Sequence, residues 1–214
     1  TDTLSINTTG SSLVAVGKGA LDANTTSSNS TAVGADALGA NTTGEDNTAL
    51  GYASLRDNTT ASNNTAVGYF ALEANTTGNY NVAVGKGALD ANTTAANNTA
   101  VGGDALTANT TGTNNAALGT SALGANTTGD RNTGIGRDAL NKSTTSDNNT
   151  AVGYSSLKAN TTGTRNTAVG KDAGKSITTA SENTIMGCLA GDAITTGTKN
   201  NFFGDSAGTS VTTG

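Results

Sequence analysis

Proline, histidine and tryptophan are absent from the 214 residues, and cysteine and methionine occur once each. Disordered linkers usually carry proline, so its absence speaks against one. Without histidine the chain lacks the side chain best suited to proton transfer near neutral pH. A single cysteine excludes an internal disulfide and any site built on several thiolates. Leu, Ile, Val and Phe together number 32, about 15 % of the chain, which is below the share expected of a globular core. No apolar run approaches the roughly 20 residues of a membrane helix, and no signal-peptide pattern is present, so no membrane insertion is expected. Eleven cationic side chains face sixteen anionic ones, a net charge of −5. The resulting pI is near 4.5. Such a surface does not suit nucleic acid, whose phosphates need Lys and Arg. The chain opens at Thr1 rather than Met, as expected of a processed chain or a fragment.

What fills the sequence instead is Thr (42), Gly (29) and Asn (27), nearly half of all residues. A repeat accounts for them. Gly follows an apolar residue at Gly17, Gly34, Gly51, Gly68, Gly85, Gly102, Gly119, Gly136, Gly153, Gly170, Gly187 and Gly204, always 17 residues apart. The consensus is G-x-x-A-L-x-A-N-T-T-G-x-x-N-T-A-V. Positions are numbered here from the residue after this Gly, which is itself position 17. Twelve copies without an insertion imply that each stacks on the last in the same geometry, as in a solenoid.

Helical solenoids need longer repeats, and Thr, Val, Asn and Gly favour strands and turns. Asn149–Gly153 and Ala159–Gly163 each read as a short strand closed by a glycine corner. The expected fold is all-β: a parallel β-solenoid, or β-roll, of about twelve 17-residue turns. Two or three short strands are expected per turn, paired to the next turn about 4.8 Å away.

Position 16 is apolar in all twelve copies, from Val16 to Phe203. Position 4 is Leu from Leu4 to Leu157, and position 3 is nearly always Ala or Ser. All three read as core. Positions 1, 2, 5, 11 and 12 mix charged and polar residues and read as surface. In the last copies Leu at position 4 gives way to Gly174, Gly191 and Gly208, while Asn at position 7 becomes Ile177, Ile194 and Val211. A loss matched by a gain implies that both positions fill one interior volume. Position 7 is therefore expected to face inward, its Asn side chains stacked as a hydrogen-bonded ladder. The chain divides accordingly into Leu-type repeats, residues 1–170, and an Ile-type variant of the same solenoid, residues 171–214.

The string N-T-A-V-G-x-x-A-L-x-x-N-T-T-G, as in Asn64–Gly78 and Asn149–Gly163, resembles repeats of phage tail-fibre and surface-adhesin proteins. It also looks like a longer relative of the N-S-V-A-I-G repeat in the heads of trimeric autotransporter adhesins. The resemblance covers essentially the whole chain. It implies a left-handed β-roll, three chains side by side in a homotrimer, and attachment to a host or surface. The expected location is then extracellular, on a virion tail fibre or a cell surface, with a cell-surface or glycan receptor as partner.

Other motifs are weaker. Thr-Thr at positions 8 and 9 recurs thirteen times. Strand alternation would turn one inward and leave the other as an outward rank, a feature of ice-binding faces. Fourteen Asn-x-Ser/Thr sequons occur, nine of them at position 7. Those at position 12, Asn29, Asn63, Asn97 and Asn148, lie on the expected outer turn and are the candidate glycosylation sites. Ala173-Gly174-Lys175-Ser176 imitates a phosphate-binding loop, but Val169 stands where that motif requires Gly. Asp36, Asp104, Asp138 and Asp172 fall two or more turns from one another, about 10 Å or more, too far for one cation. Tyr52, Tyr69, Phe70 and Tyr154 sit at outer positions and could meet sugar rings or a neighbouring chain.

No constellation supports catalysis, so no enzyme, cofactor or metal is expected. The leading expectation is a rigid shaft or spacer of a fibre or adhesin. One alternative is an extracellular filament polymerising end to end, with or without glycans. The other is an ice-binding solenoid.

Overall fold

A computed structural model describes residues 3–213. Thr1, Asp2 and Gly214 lie outside the described residues, and with them the expectation attached to Thr1. The protein is a parallel β-solenoid of 17-residue turns, with no helix among the described residues. Contacts divide the chain into two compact units, Thr1–Thr111 and Gly112–Gly214. The first holds β1 (Val14–Val16), β2 (Thr31–Val33), β3 (Thr48–Leu50), β4 (Thr65–Val67), β5 (Val82–Val84) and β6 (Thr99–Val101). The second holds β7 (Ala116–Leu118), β8 (Thr133–Ile135), β9 (Thr150–Val152), β10 (Thr167–Val169), β11 (Thr184–Met186) and β12 (Asn201–Phe203). Within each unit every strand pairs in parallel with its sequence neighbours, like residue on like residue: Val67 opposes Val84, and Thr150 opposes Thr167.

Each turn contributes one strand, fewer than the two or three expected. Ala159–Gly163 forms none. There Asn160 N–H turns back to donate to the Leu157 carbonyl at 3.1 Å, and elsewhere in the turn the cause is backbone handedness. Positions 2, 4 and 12 adopt positive φ in nearly every turn, as at Phe70, Leu72 and Tyr80, and Gly68 sits at +140°. A left-handed residue cannot continue an extended strand. The turns nevertheless stay bonded around their circumference. Leu38 N–H donates to the Ser54 carbonyl at 3.0 Å, and Thr42 N–H to Thr59 at 2.9 Å. Asn63 N–H donates backwards to Glu45 at 3.0 Å. The ladder thus continues around the corners, interrupted where an N–H bonds within its own turn, as Asn41 does to the Leu38 carbonyl at 3.1 Å.

Inside, position 15 is buried and positions 14 and 16 point outward, which corrects the reading of position 16 as core. Ala66 is fully buried, while Val16 is 57 % exposed and Phe203 64 %. The parity is set by position 13. Asn47, Asn64 and Asn81 at that position are fully buried, so two residues on, at 15, the chain faces inward again. The core of a turn is therefore one large aliphatic group, Leu at position 4, with Ala at 3 and 15 and Asn at 7 and 13.

Both Asn ranks are ladders. Asn58 Nδ2 donates to Asn41 Oδ1 at 2.9 Å, Asn75 to Asn58 at 3.0 Å, and Asn92 to Asn75 at 2.9 Å. The same amides also bond the position-10 carbonyl of their own turn. At position 13, Asn64 N–H donates to Asn47 Oδ1 at 3.0 Å, and Asn47 Nδ2 reaches the Ala61 carbonyl at 2.8 Å. Such amides cost little to bury because their hydrogen bonds are made inside. The position-7 rank ends at Asn160, whose Oδ1 is buried with no hydrogen-bond partner. The next turn offers Ile177 there, which has nothing to donate.

The exchange of Leu for Gly has the interior geometry expected of it. A Cβ on Gly174 would lie 3.0 Å from Ile185 Cδ1, 3.1 Å from Leu157 Cδ2 and 3.2 Å from Ile177 Cδ1. The space of the leucine is taken by Ile177 and by Ile185, which replaces Ala at position 15. Backbone strain adds a second motive. Leu38, Leu72 and Leu140 hold φ of +50°, +54° and +52°. A left-handed L-residue costs roughly 1–2 kcal/mol, whereas burying a leucine side chain contributes roughly 1.5–3 kcal/mol. Burial outweighs strain in the Leu-type turns. The Ile-type turns keep the burial and remove the strain.

Candidate binding surface

The twelve corner glycines foreseen from the repeat are structural. All have positive φ, between 122° and 140°. A Cβ on Gly34 would stand 2.3 Å from the Gly51 carbonyl oxygen, and one on Gly68 2.5 Å from that of Gly85. They carry no chemistry. They let strand follow strand closely and so hold the outward ranks at positions 14 and 16 in line.

That outward face is uncharged along its whole run. In the first unit it presents Val16, Val33, Leu50, Val67, Val84 and Val101. In the second it presents Leu118, Ile135, Val152, Val169, Met186 and Phe203. Leu50 is 47 % exposed and Leu118 50 %. Beside them runs position 14, Thr in eight of the twelve strands. Neither rank carries a charge in any copy, whereas exposed position 1 varies through Lys18, Tyr52, Arg137 and Asp205. A single exposed valine is ordinary, but a rank of them is a continuous apolar stripe.

The Thr-Thr pair does not alternate as a strand would. Position 8 is half-buried in most turns and position 9 exposed, with the asparagine at position 7 and the residue at position 10 facing inward on either side. The position-8 hydroxyls are committed: Thr42 Oγ1 donates to the Thr59 carbonyl at 3.0 Å, and Thr76 to Thr93 at 3.0 Å. Only position 9 is a free outward threonine rank on this side.

Asn29, Asn63, Asn97 and Asn148 are exposed at left-handed corners, with φ of 59° to 62°. Asn148 Oδ1 accepts from Arg131 Nε at 2.9 Å. The position-7 sequons Asn24, Asn41, Asn58, Asn75, Asn92, Asn109, Asn126 and Asn160 are fully buried. Tyr52, Tyr69 and Phe70 form one cluster, the two tyrosines stacked at 5.4 Å and Tyr69 tilted against Phe70 at 4.1 Å. Tyr154 stands apart from them, in the second unit, at the mouth of a shallow cleft.

Electrostatics is local. The Arg56 guanidinium is raised above its ordinary value, chiefly by its hydrogen bond to the Asp57 carboxylate at 2.8 Å. Glu182 is lowered by the hydrogen bond and charge of Arg165. Among the described residues no group of three His, Cys, Asp or Glu side chains could hold a metal ion, and no helix is long and apolar enough to cross a membrane. Comparison with protein-family models, with curated proteins and with solved structures finds no match to this chain.

Proposed function

We propose that the chain is a rigid shaft or spacer segment of an extracellular fibrous protein, a tail fibre or surface adhesin. Its copies associate side by side as a homotrimer through the Thr–Ala–Val strand face. One observation carries this reading: position 16 is apolar in all twelve copies and yet points outward. Solubility alone would favour polar residues there. Burying the six partly exposed position-16 side chains of a unit contributes on the order of a few kcal/mol per chain, which offsets part of the cost of association. The repeat's resemblance to fibre and adhesin repeats supports the same assignment.

The test is the mass of the native chain in solution by light scattering, beside a Val67→Lys/Val84→Lys variant. A three-chain mass that falls to one chain in the variant supports the reading. A single-chain native mass refutes it. Growth with concentration that both proteins share would favour a filament joined end to end instead. A second reading rests on the position-14 threonines. With position 16 beside them they form an uncharged T-x-V plane on one strand face, where the Thr-Thr pair offers a single outward rank. A monomer that alters ice growth and loses this in the lysine variant would favour it.

A further inference from the structure

The second unit carries a cleft of about 350 Å³, lined by Lys142, Tyr154, Ser155, Lys158, Lys175 and Ser176 among others. Its size falls in the range of small-molecule sites. Three of the chain's seven lysines meet there, in a protein of net charge −5. They stand on consecutive turns. Lys142 N–H donates to the Lys158 carbonyl at 3.2 Å, and Ala159 N–H to the Lys175 carbonyl at 3.1 Å. The backbone ladder therefore fixes the roots of the three ammonium groups about 4.8 Å apart. Lys158 Nζ lies 3.3 Å from Asp138, and Lys175 Nζ 3.5 Å from Asp192. Lys142 has no carboxylate within 4.0 Å among the described residues. One carboxylate lines the cleft, that of Asp172, and Lys171 stands 4.0 Å from it.

We propose that this cleft binds an anionic saccharide, a pyranose bearing a sulfate. Lys142 and its neighbours meet the anionic group. The half-exposed Tyr154 ring supplies a flat apolar wall for the sugar's C–H face, and Ser155 and Ser176 offer hydroxyls to the ring hydroxyls. A bare anion would have no use for the tyrosine. An acidic peptide would need a longer basic track than three adjacent turns provide. The site goes beyond the shaft reading and stands whether the chain is a monomer or a trimer.

The experiment is calorimetric titration of the full chain, at low and moderate salt, with a sulfated glycosaminoglycan tetrasaccharide. The same oligosaccharide without sulfate, inorganic sulfate and a short polyglutamate peptide serve as comparisons. Binding of the sulfated sugar alone is expected. Lys142→Ala/Lys158→Ala should weaken it about tenfold or more, and Tyr154→Phe should leave it nearly unchanged while Tyr154→Ala weakens it several-fold. A Lys18→Ala/Lys86→Ala variant removes the same charge from the first unit and should bind as the native chain does. Circular dichroism and solution mass check that each variant keeps the native fold and assembly. Absence of binding overturns the proposal. So does equal loss in the Lys18/Lys86 variant, or equal affinity for inorganic sulfate or polyglutamate.

Discussion

Leu72 offers a direct test of the balance between burial and backbone strain. Its side chain is fully buried and its φ is +54°. Leu72→Ala removes three buried carbons and should cost about 2–5 kcal/mol, as large-to-small core changes do. It leaves the strain in place, because alanine keeps a Cβ. Leu72→Gly loses one carbon more, roughly 0.8 kcal/mol of burial, and gains roughly 0.5–1 kcal/mol of chain entropy in the unfolded state. Against these stands the release of roughly 1–2 kcal/mol of left-handed strain. The two variants should therefore be equally stable to within about 0.5 kcal/mol. At Ala88, position 3 of the next turn, which is buried and absent from the left-handed set, Ala→Gly makes the same two losses with no strain released and should cost roughly 1.3–1.8 kcal/mol. Urea unfolding followed by circular dichroism, at one fixed protein concentration, measures all three differences. If Leu72→Gly lies well over 1 kcal/mol below Leu72→Ala, the left-handed backbone carries no strain here and the account of the Ile-type turns is wrong.

Gly68→Ala forces a Cβ to within 2.5 Å of the Gly85 carbonyl at φ +140°, so it should cost about 3 kcal/mol or more. Gly103, with nothing within 4 Å of its Cβ site, should accept alanine with a change under about 0.5 kcal/mol. Asn75→Ala breaks the position-7 ladder on both sides. It should destabilise by about 1–3 kcal/mol through the buried Asn58 oxygen left without its donor. Thermal melts rank these three. The Glu182 carboxyl, held down by Arg165, should titrate below an ordinary glutamate when followed by NMR, and Arg165→Gln should raise it. Because its folded pKa is the lower one, any stability it adds is present above the unfolded pKa and is lost as pH falls through the folded one. An unmoved Glu182 midpoint in the variant would remove the pair from consideration.

Much of this architecture was legible in the repeat. The period, the glycine corners, the leucine rank and the inward asparagines at position 7 followed from comparing copies, above all from Gly174 appearing together with Ile177. Position 16 was misread because an apolar residue in every copy gives the same signal whether it faces a core or a partner. Only the parity of the three-residue strand separates the two, and that depends on Asn at position 13. In the sequence this asparagine simply opens the expected strand, as Asn149 does in Asn149–Gly153, and nothing there shows its amide bonded within the interior. The left-handed leucines were hidden for a related reason. Propensity speaks against φ > 0 for leucine, and packing overrides it. The lysine cleft needs the stacking itself, since Lys142, Lys158 and Lys175 are neighbours only once the turns are superposed.

The like-on-like register has a genetic consequence. Within a unit the inter-turn hydrogen bonds join one turn to the next in a repeating pattern, so a donor meets the equivalent position of its former acceptor if a whole repeat is lost or gained. Loss of a single codon inside a turn would instead set corners against strands and amides against leucines from that point on. Recombination between copies thus explores viable proteins in steps of one turn, roughly 4.8 Å, while small insertions and deletions are purged. The number of turns is the trait such a gene can change most freely, which would explain why twelve copies differ so widely at their exposed corners and have kept one unbroken spacing.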